Sequence, residues 1–531
     1  MTVEPELAAA AVAVDAGQGV VDAGCAALAA VGDIDQEQVV AYDLAHAAAA
    51  VEIARALLDY GAKGDVEGRI ACAFAADVVH DVATRLLGRE KEWGASLDAL
   101  AAAWEFVQAY RSPAFLAELC GEQGPRHLDE DLEMVQETFR RFAENEIRPV
   151  AEEVHRKNSD IPERIIEGLA ELGAFGLSVP EAYGGFATGD EGEYLAMVVA
   201  TEELSRGSLG VGGSLITRPE ILTRALVRGG TEDQKRRWLP SIAAGEVMVA
   251  VAATEPDYGS DAANFKTTAT REGDGWRING VKTWCTFAGR ADLLMLLART
   301  DPDRSKAHKG LSLFVVPKQR SDGDAFVLEQ PEGGRMEGRA IDTIGYRGMH
   351  SFEVAFEDWY VGADCLIGGE EGLGRGFYLQ MEGFENGRLQ TAARAVGVMQ
   401  AAYEAAYDYA LNRKVFGRAL IDYQLTRAKL TRMAVLIQAS RQFAYQVARL
   451  LAKGQASMEA SMVKAFACRA AEWVTREAMQ IHGGMGYAEE FAVSRYFVDA
   501  RVLSIFEGAD EVLALKVIAR RLVDGYRNRS G

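Results

Sequence analysis

The sequence predicts an α+β fold that is mainly helical, with one antiparallel β domain between helical segments. Proline placement is the first reason: of the 12 prolines in 531 residues, none lies between Pro5 and Pro113 and none follows Pro331. Because proline disrupts helix interiors, long proline-free stretches rich in Ala, Leu, Glu and Arg favour helices. The second reason is residues 247–361, where short apolar runs alternate with glycine turns, as in an antiparallel sheet or barrel.

Four domains follow from these changes along the chain. Residues 1–124 are expected to be an N-terminal helical extension, 125–246 a helical domain, 247–365 the β domain and 366–531 a C-terminal helical bundle. The first boundary is placed at the end of the Gly- and Pro-containing segment 111–125.

Helices are predicted before that boundary from the proline-free, alanine-rich composition. After it, helical spacing is seen in the apolar residues Leu132, Val135, Phe139, Phe142 and Ile147. The extension should contain two long helices, 36–60 and 66–87, joined by a glycine-containing turn. Further helices are predicted at 163–172, 191–205 and 220–228. Thr231, followed by Gln234, has the pattern of a helix N-cap.

Strands are predicted from short apolar runs between turn residues. They are 247–253, 267–271, 276–279, 293–298, 311–316 and 353–356. The turns Gly273-Asp274-Gly275 and Asn279-Gly280 are expected to separate neighbouring strands. After about Gly376 the chain is expected to be helical again.

The charge and cysteine content exclude several classes of function. A formal net charge of −21 argues against nucleic acid and anionic membranes as partners. The six cysteines are scattered without a CxxC pair, and seven histidines leave little material for a metal centre. The N-terminus lacks the basic segment and apolar core of a signal peptide, and acidic residues interrupt its apolar stretch. A reduced, cytoplasmic protein without membrane contact is therefore expected.

Phosphate-binding signatures of the nucleotide folds are absent from the sequence. No GxGxxG follows a predicted strand, and no GxxxxGK[ST] occurs. The glycine cluster 368–376 is expected to be a flexible loop that feeds a helix and needs no ligand.

Two glycine turns near the end of the chain bracket one helix-like segment. The first is Gly483-Gly484 and the second contains Phe506-Glu507-Gly508. Glycine lets the backbone approach a ligand without a Cβ in the way. A carboxylate held on such a turn is well placed to accept a proton, so Glu507 is the candidate general base.

Two segments of the β domain offer hydroxyls and an indole to a ligand. Thr254 and Ser260 lie on a turn after a predicted strand, and Trp284 and Thr286 occupy alternate positions of another. Alternate strand positions face the same side, which suits a planar ring. For either segment alone, ordinary turn chemistry and a core tryptophan remain the favoured alternative.

A basic, aromatic and glycine-containing run lies between two predicted helices of the bundle. It spans residues 412–418 and is followed by Gln424. Such a run suits a pyrophosphate or a subunit contact, and a solvated charged loop is the alternative.

These segments together resemble the acyl-CoA dehydrogenase family over residues 128–523. The matching motifs are Thr254-Glu255-Pro256 with Gly259-Ser260-Asp261, Asn279-Gly280 with Lys282-Thr283-Trp284-Cys285-Thr286, Arg413-Lys414 with Phe416-Gly417 and Gln424, Gln480-Ile481-His482-Gly483-Gly484 with Gly486, and Phe506-Glu507-Gly508. The resemblance implies an N-terminal helical domain, a middle antiparallel β-barrel or sandwich domain and a C-terminal four-helix bundle, here with an extra N-terminal helical extension. It also implies FAD-dependent dehydrogenation of an acyl-CoA thioester.

The resemblance implies that FAD lies between the β domain and the bundle. Contacts to the isoalloxazine are then expected at Thr254, Ser260, Trp284 and Thr286. Contacts to the pyrophosphate and adenine side of a neighbouring subunit's FAD are expected at Arg413, Phe416, Gln424, Gln480 and Gly484. The chain is therefore expected to form a homodimer or homotetramer, and an electron-transferring flavoprotein is expected to reoxidise the flavin.

Glu507 matches the family's usual catalytic base. Some members place this base on an earlier helix, at a position matching Gly387, and glycine cannot take a proton. The implied mechanism removes the α-proton with Glu507 while the β-carbon gives a hydride to flavin N5.

The sequence departs from the family beside the base. Tyr is frequent before the Glu, where this chain has Phe506, and Thr is usual after the glycine, where it has Ala509. Asp510 and Glu511 are expected to act as a cap and a first-turn acid of the last helix.

The acyl pocket is expected near residues 205–228, which contain Arg206, Arg218 and Arg224. An arginine at Arg218 suits a distal carboxylate, and a surface arginine before a proline is the alternative. The substrate contacts implied by the resemblance are Ser260, Arg218, Arg388 and Gly508.

Chain length, the N-terminal extension and segment 377–388 are similar to the family members that oxidise (2S)-methylsuccinyl-CoA to mesaconyl-CoA in the ethylmalonyl-CoA pathway. This is the leading substrate hypothesis. The alternatives are a short-chain monocarboxylic acyl-CoA dehydrogenase, an acyl-CoA oxidase, and an inactive helical assembly protein.

Overall fold

The computed structural model describes residues 4–31, 33–331 and 333–530. The N-terminal part contains α1 (Leu7–Val31), α2 (Gln38–Gly61), α3 (Asp65–Leu86), α4 (Glu90–Trp93), α5 (Trp104–Tyr110) and α6 (Pro113–Glu118). The next helices are α7 (Glu130–Phe142), α8 (Arg148–Lys157), α9 (Glu163–Glu171), α10 (Glu191–Gly207), α11 (Thr217–Gly229) and α12 (Glu232–Ala243).

Strands follow from residue 249 and helices return at residue 376. The strands are β1 (Val249–Ala252), β2 (Thr268–Glu272), β3 (Gly275–Thr286), β4 (Leu293–Arg299), β5 (Leu311–Pro317), β6 (Ala325–Glu329), β7 (Arg335–Ile341) and β8 (Ser351–Gly362). The last part contains α13 (Gly376–Asn412), the short strands β9 (Lys414–Val415) and β10 (Arg418–Ala419), α14 (Gln424–Ala452), α15 (Glu459–His482), α16 (Ala492–Leu503), α17 (Asp510–Val512) and α18 (Arg520–Ser530). A π-helical segment, Leu513–Ala519, joins the last two helices.

The chain divides into two compact units. One unit consists of Met1–Glu133 and Thr391–Gly531, and the other of Met134–Gln390. The division into two units does not test the boundaries of the four domains expected from the sequence, which stay a prediction.

The first unit is a helical body in which the N-terminal extension packs on the C-terminal helices. Helix α1 packs on α2 and α3, and α2 in turn contacts α14 and α15. Alanine lines much of α2 and α3, so the helices approach closely. The structure confirms the predicted helices 36–60 and 66–87, and α1 is a further long helix that the sequence analysis did not delimit.

Helix α1 has the length and mean hydropathy that a membrane-spanning helix needs, by composition alone. In the part of the chain that the structure describes, it is the one such helix. Core helices and N-terminal signal sequences pass the same test. Buried residues such as Val14, Val20 and Leu28 face its neighbours here.

The second unit contains a mixed sheet covered on both faces. Its strand order is β1-β4-β2-β3-β8-β7-β6, with β5 paired to the other edge of β4. Alternate residues of β4 face two hydrophobic clusters, one within the curled sheet and one shared with α11 and α12. This explains why its sequence is a continuous apolar run.

Two details of the sheet differ from the sequence prediction. The expected antiparallel pairing holds for most strands, but β4 runs parallel to both β1 and β2. Asn279-Gly280 does not end a hairpin: it lies inside β3 at a register shift, with Gly280 at a φ of 140°. A Cβ there would meet Thr267 Cα at 2.7 Å, so the glycine serves a bulge.

The predicted helix start at Thr231 is confirmed. Thr231 Oγ1 accepts from the N–H of Gln234 at 3.2 Å, and Gln234 Oε1 accepts from the N–H of Thr231 at 2.9 Å. Gln234 also donates to the carbonyl of Leu366 at 2.6 Å, which fastens the loop after β8 to α12.

Candidate functional site

The candidate base lies on a sharp turn between α16 and α17. Glu507 has a φ of 55° and Gly508 a φ of 101°, so two consecutive residues are left-handed. A Cβ on Gly508 would meet Leu513 Cδ2 at 2.8 Å. Only glycine fits at 508, and the side chain of Glu507 is partly exposed.

Side chains from α13 and α15 fix this turn. The buried Lys464 donates from Nζ to the carbonyl of Gly508 at 2.6 Å. Ser504 hydrogen-bonds to Glu472, and the Arg394 guanidinium carbon lies 5.4 Å from the centre of the Phe506 ring. The backbone that carries the Glu507 side chain is therefore held in place.

Asp510 is not the helix cap that the sequence suggested, because Ala509 occupies the N-cap position of α17. Asp510 is buried, and its Oδ2 accepts a hydrogen bond of 2.5 Å from Tyr42 Oη of the N-terminal extension. His46 Nε2 lies 3.2 Å from the same oxygen. The exposed Glu511 is free to serve as the first-turn acid.

These contacts set the protonation of the three side chains. Burial opposes ionisation of Asp510, but the nearby His46 and the hydrogen bond from Tyr42 outweigh it and hold the pKa of Asp510 below its ordinary value. Burial lowers the pKa of His46. Burial and the bond to Asp510 raise the pKa of Tyr42 to about 12. Neutral donors therefore face a carboxylate.

The β-domain candidates lie at the ends of β1 and β3. Thr254 is partly exposed, Ser260 is exposed, and Trp284 is 54% exposed at a φ of 57°. Thr286 is 6% exposed and its hydroxyl lies 3.0 Å from that of Ser351. Regular alternation, the basis of the sequence argument for Trp284 and Thr286, is broken by a register shift between Lys282 and Cys285.

The structure brings the Thr254 and Trp284 segments together. The N–H of Thr283 donates to the carbonyl of Thr254 at 2.8 Å. The ammonium of Lys282 donates to the carbonyl of Ala253 at 2.8 Å and to Glu255 Oε1 at 2.9 Å. Sequence reasoning missed this pair, although both residues stand inside the quoted motifs.

The basic run of the bundle forms a small hairpin, not an open loop. Strands β9 and β10 pair across Phe416 and Gly417, which have φ values of 48° and 80° as in a two-residue turn with both residues left-handed. Phe416 is 97% exposed, and Arg413 and Gln424 are exposed on either side. An exposed aromatic ring beside a cation suits a ligand or a neighbouring subunit.

The first glycine turn lies close to that hairpin through a ring stack. His482, directly before Gly483, stacks on Tyr409 with ring centres 4.2 Å apart, and Tyr409 lies four residues before Arg413. His482 Nδ1 lies 2.8 Å from the carbonyl of Ala478. Burial lowers the pKa of His482. Gln480 and Gly484 are exposed beside it, and a Cβ at Gly484 would meet nothing within 4 Å.

The acyl candidates lie on α11 and α13 of the second unit. Arg218 is 7% exposed in the first turn of α11, and Arg388 is partly buried on α13. These helices pack closely, since a Cβ at Gly383 of α13 would lie 3.2 Å from Ile221 Cγ2 of α11. Arg224 forms ion pairs with Glu193 at 2.6 Å and Glu220 at 3.3 Å, so it serves the scaffold.

A basic cavity of about 530 Å³ on the β domain was not foreseen. Arg271, Arg299 and Arg304 line it beside Trp276. Arg299 donates to three backbone carbonyls, and Arg271 stacks on Trp276 at 4.6 Å and pairs with Glu370, whereas Arg304 is exposed. The cavity can accept an anionic group.

Family models match most of the chain. The acyl-CoA dehydrogenase N-terminal domain matches residues 129–246, the middle domain 250–359 and the C-terminal domain 374–523. The N-terminal extension precedes all three.

Individual relatives agree with these matches. The (2S)-methylsuccinyl-CoA dehydrogenase of Cereibacter sphaeroides is 44% identical over 79% of this chain and 76% of its own length. The bovine (Bos taurus) mitochondrial short-chain specific acyl-CoA dehydrogenase is 35% identical over 76% of this chain and 92% of its own. The structure of butyryl-CoA dehydrogenase from Megasphaera elsdenii superposes with a TM-score of 0.68 and 31% identity, covering 75% of this chain and 99% of that one.

Proposed function

The chain belongs to the acyl-CoA dehydrogenase family, and we propose that it converts (2S)-methylsuccinyl-CoA to mesaconyl-CoA. The family consists of FAD-dependent oxidoreductases that act on the CH–CH bond of an acyl-CoA, and this chain is one of them. The observation that carries the substrate is the greater identity to the Cereibacter enzyme than to the short-chain enzymes.

The exposed candidates have the chemistry that FAD needs. An accessible indole at Trp284 can cover a planar ring, the open backbone at Gly484 can approach a pyrophosphate, and the exposed guanidinium of Arg413 can pair with one. Thr254 and Ser260 offer accessible hydroxyls, whereas Thr286 is buried with its hydroxyl against that of Ser351 and stays a predicted contact. The remaining exposed candidates are Phe416, Gln424 and Gln480. When bound, FAD accepts the hydride released from the β-carbon of the thioester.

Glu507 takes the α-proton in this proposal. Its left-handed backbone is held by Lys464 and its carboxylate is partly exposed, so it starts from a fixed position. The N–H of Glu507 donates to the thioester carbonyl and so increases the acidity of the α-proton. Gly387, at the position of the alternative base in the family, has no side chain that could act as the base in place of Glu507.

Arg218 binds the distal carboxylate of the substrate in this proposal, with Arg388 as a second contact. A buried guanidinium gains most from a carboxylate partner, which it can hold with two parallel hydrogen bonds. The exposed Arg304 at the basic cavity of the β domain suits a phosphate of the CoA moiety.

The electron acceptor and the assembly are proposed from the family. A solved structure from work on the electron-transferring flavoprotein of Acidaminococcus fermentans is 32% identical with a TM-score of 0.68, and this supports such a flavoprotein as acceptor. A homodimer or homotetramer in the cytoplasm is proposed, with the exposed hairpin at Phe416 in the subunit contact. Rapid reoxidation by air would instead favour an acyl-CoA oxidase.

Anaerobic reduction of the FAD-loaded protein tests the proposal. (2S)-Methylsuccinyl-CoA should bleach the flavin faster than butyryl-CoA, and a clear preference for butyryl-CoA would contradict the substrate. Glu507→Gln should stay yellow and fail to bleach, whereas the control Glu511→Gln should stay yellow and bleach like the wild type. Purified protein that takes up no FAD would favour the inactive assembly protein.

A further inference from the structure

The N-terminal extension reaches the turn of the candidate base through α2. Tyr42 and His46, one helical turn apart on α2, place Oη and Nε2 at 2.5 Å and 3.2 Å from Asp510 Oδ2. Their rings pack edge to face with centres 4.5 Å apart. Asp510 lies three residues after Glu507, and its N–H donates to the carbonyl of Ser504 at 3.1 Å, which closes the turn.

We propose that Tyr42 and His46 are positioning residues for Glu507, so that the N-terminal extension completes the catalytic turn. The proposal rests on the proposed role of Glu507 as the base. It gives the extension a function in the reaction in addition to its packing on α14 and α15.

The conformation of the turn supports this role. Left-handed backbone at Glu507, which is not a glycine, persists only where the surroundings determine it. Lys464 fixes the carbonyl of Gly508 from α15, and the Asp510 side chain is the anchor on the C-terminal side. Loss of this side-chain anchor removes a link to α2 and leaves the backbone bond from Asp510 to Ser504 and the bond from Lys464 to hold the segment between Glu507 and Asp510.

The charges explain why both donors are needed. Asp510 is buried, so its carboxylate depends on hydrogen bonds for compensation. Arg469 faces the same cluster from α15, with its guanidinium carbon 5.9 Å from the centre of the Tyr42 ring. Without the donors of α2, the carboxylate gains by moving toward water, and the turn that carries Glu507 moves with it.

The family models begin at residue 129, so α2 lies outside the part of the chain that they describe. The Tyr42–Asp510 contact is therefore an addition to the common architecture, made by the segment that precedes it.

Stopped-flow reduction of FAD-loaded Tyr42→Phe by (2S)-methylsuccinyl-CoA tests the proposal. We expect the rate of reduction to fall about tenfold or more, since small displacements of a reacting group cost rate steeply. FAD content and the substrate concentration for half-maximal rate should stay within about twofold. His46→Leu should behave in the same way, and His46→Gln, which keeps an N–H donor, should recover most of the rate.

Tyr110→Phe is the matched control. Tyr110 is buried in the same extension, and its hydroxyl donates to the carbonyl of Glu4 at 2.5 Å, within the extension. Its loss should leave the reduction rate unchanged. Equal slowing by Tyr110→Phe and Tyr42→Phe would show a general effect of the extension and overturn the proposal.

Asp510→Asn closes the test through a double-mutant cycle. Tyr42→Phe combined with Asp510→Asn should be no slower than the slower single variant, because both remove one anchor. Multiplicative slowing, or unchanged rates in Tyr42→Phe and His46→Leu, would refute the positioning role. If Tyr42→Phe does not yield folded protein, the reduction rates of His46→Leu and His46→Gln test the positioning role instead. Bleaching by Glu507→Gln would instead refute the base itself.

Discussion

Lys282 Nζ lies 2.9 Å from Glu255 Oε1 inside the β domain, and the two side chains are 0% and 4% exposed. The pair joins the segment of Thr254 to the segment of Trp284. Burial lowers the pKa of Lys282 to about 8. Burial opposes ionisation of Glu255, but Lys282 and the N–H groups of Lys266 and Thr267 hold the pKa of its carboxyl below the ordinary value. The two residues that hold the Thr254 and Trp284 segments together are therefore themselves part of the motifs.

Lys282→Met should destabilise the protein by about 3–5 kcal/mol, because the carboxylate of Glu255 stays buried without its cation. Retention of FAD should fall with it, as the Thr254 and Trp284 segments lose their link. Denaturant unfolding and the visible flavin absorbance measure the two effects.

Lys306→Met is the control for this change. Lys306 pairs with Asp301 on the surface, so its loss should alter neither property. Glu255→Gln combined with Lys282→Met should recover part of the stability, since no uncompensated charge is then left. Wild-type stability and FAD content in Lys282→Met would contradict the assigned role.

The sequence alone predicted those elements whose conformation is determined by the local residue pattern. The proline-free, alanine-rich composition predicted α2 and α3, and Gly508 after Glu507 indicated the turn on which the candidate base lies. Asn279-Gly280 misled because the same pair suits a hairpin turn and a bulge. The parallel pairing of β1 with β4 depends on partners that no local pattern names.

The Tyr42–Asp510 contact lay beyond prediction for a similar reason. The two residues are 468 positions apart, and neither stands in a motif that points to the other. Asp510 at the start of a helix has the signature of a cap, and only the packing of α2 reveals a buried carboxylate instead.

Gly484→Ala tests whether the first glycine turn approaches a cofactor. A Cβ at Gly484 would meet nothing within 4 Å, so the free energy of unfolding of the FAD-free protein should change little. If the turn serves a pyrophosphate, the methyl group should weaken FAD binding about tenfold or more, measured by fluorescence titration. Gly525→Ala in α18, also without neighbours within 4 Å, is the control and should bind FAD normally. Unchanged FAD affinity in Gly484→Ala would remove the residue from the site.

Arg218→Met tests the distal carboxylate contact. Because a charged hydrogen-bonded pair is worth about 1.5–3 kcal/mol, kcat/KM for methylsuccinyl-CoA should fall about tenfold to a hundredfold. For butyryl-CoA, which lacks the carboxylate, the loss should be small. Arg228→Met, an exposed arginine paired with Glu382 at 3.3 Å, should affect neither substrate. Equal losses for both substrates would assign Arg218 to the scaffold.

The stability of the protein should depend on pH through His46. In the unfolded chain a histidine takes up its proton near pH 6.5, whereas burial and the positive charges of Arg469 on α15 and Arg85 on α3 lower the pKa of the folded His46, against the attraction of Asp510 on α17. Below about pH 6.5 the unfolded state therefore binds more protons than the folded state, and the free energy of unfolding falls with pH. The slope from this group is at most about 1.4 kcal/mol per pH unit.

His46→Gln removes this contribution, so its free energy of unfolding should fall less than that of the wild type between about pH 6.5 and pH 5.5. Above about pH 7.5 the two proteins should respond to pH in parallel, since His46 is neutral in both states there. The lowered pKa of Asp510 acts at more acidic pH, because its contribution is lost only as pH falls below about 3.9, the ordinary value of an aspartate. Urea unfolding at a series of pH values measures the difference, and parallel curves through pH 5.5 would show that His46 does not titrate with folding.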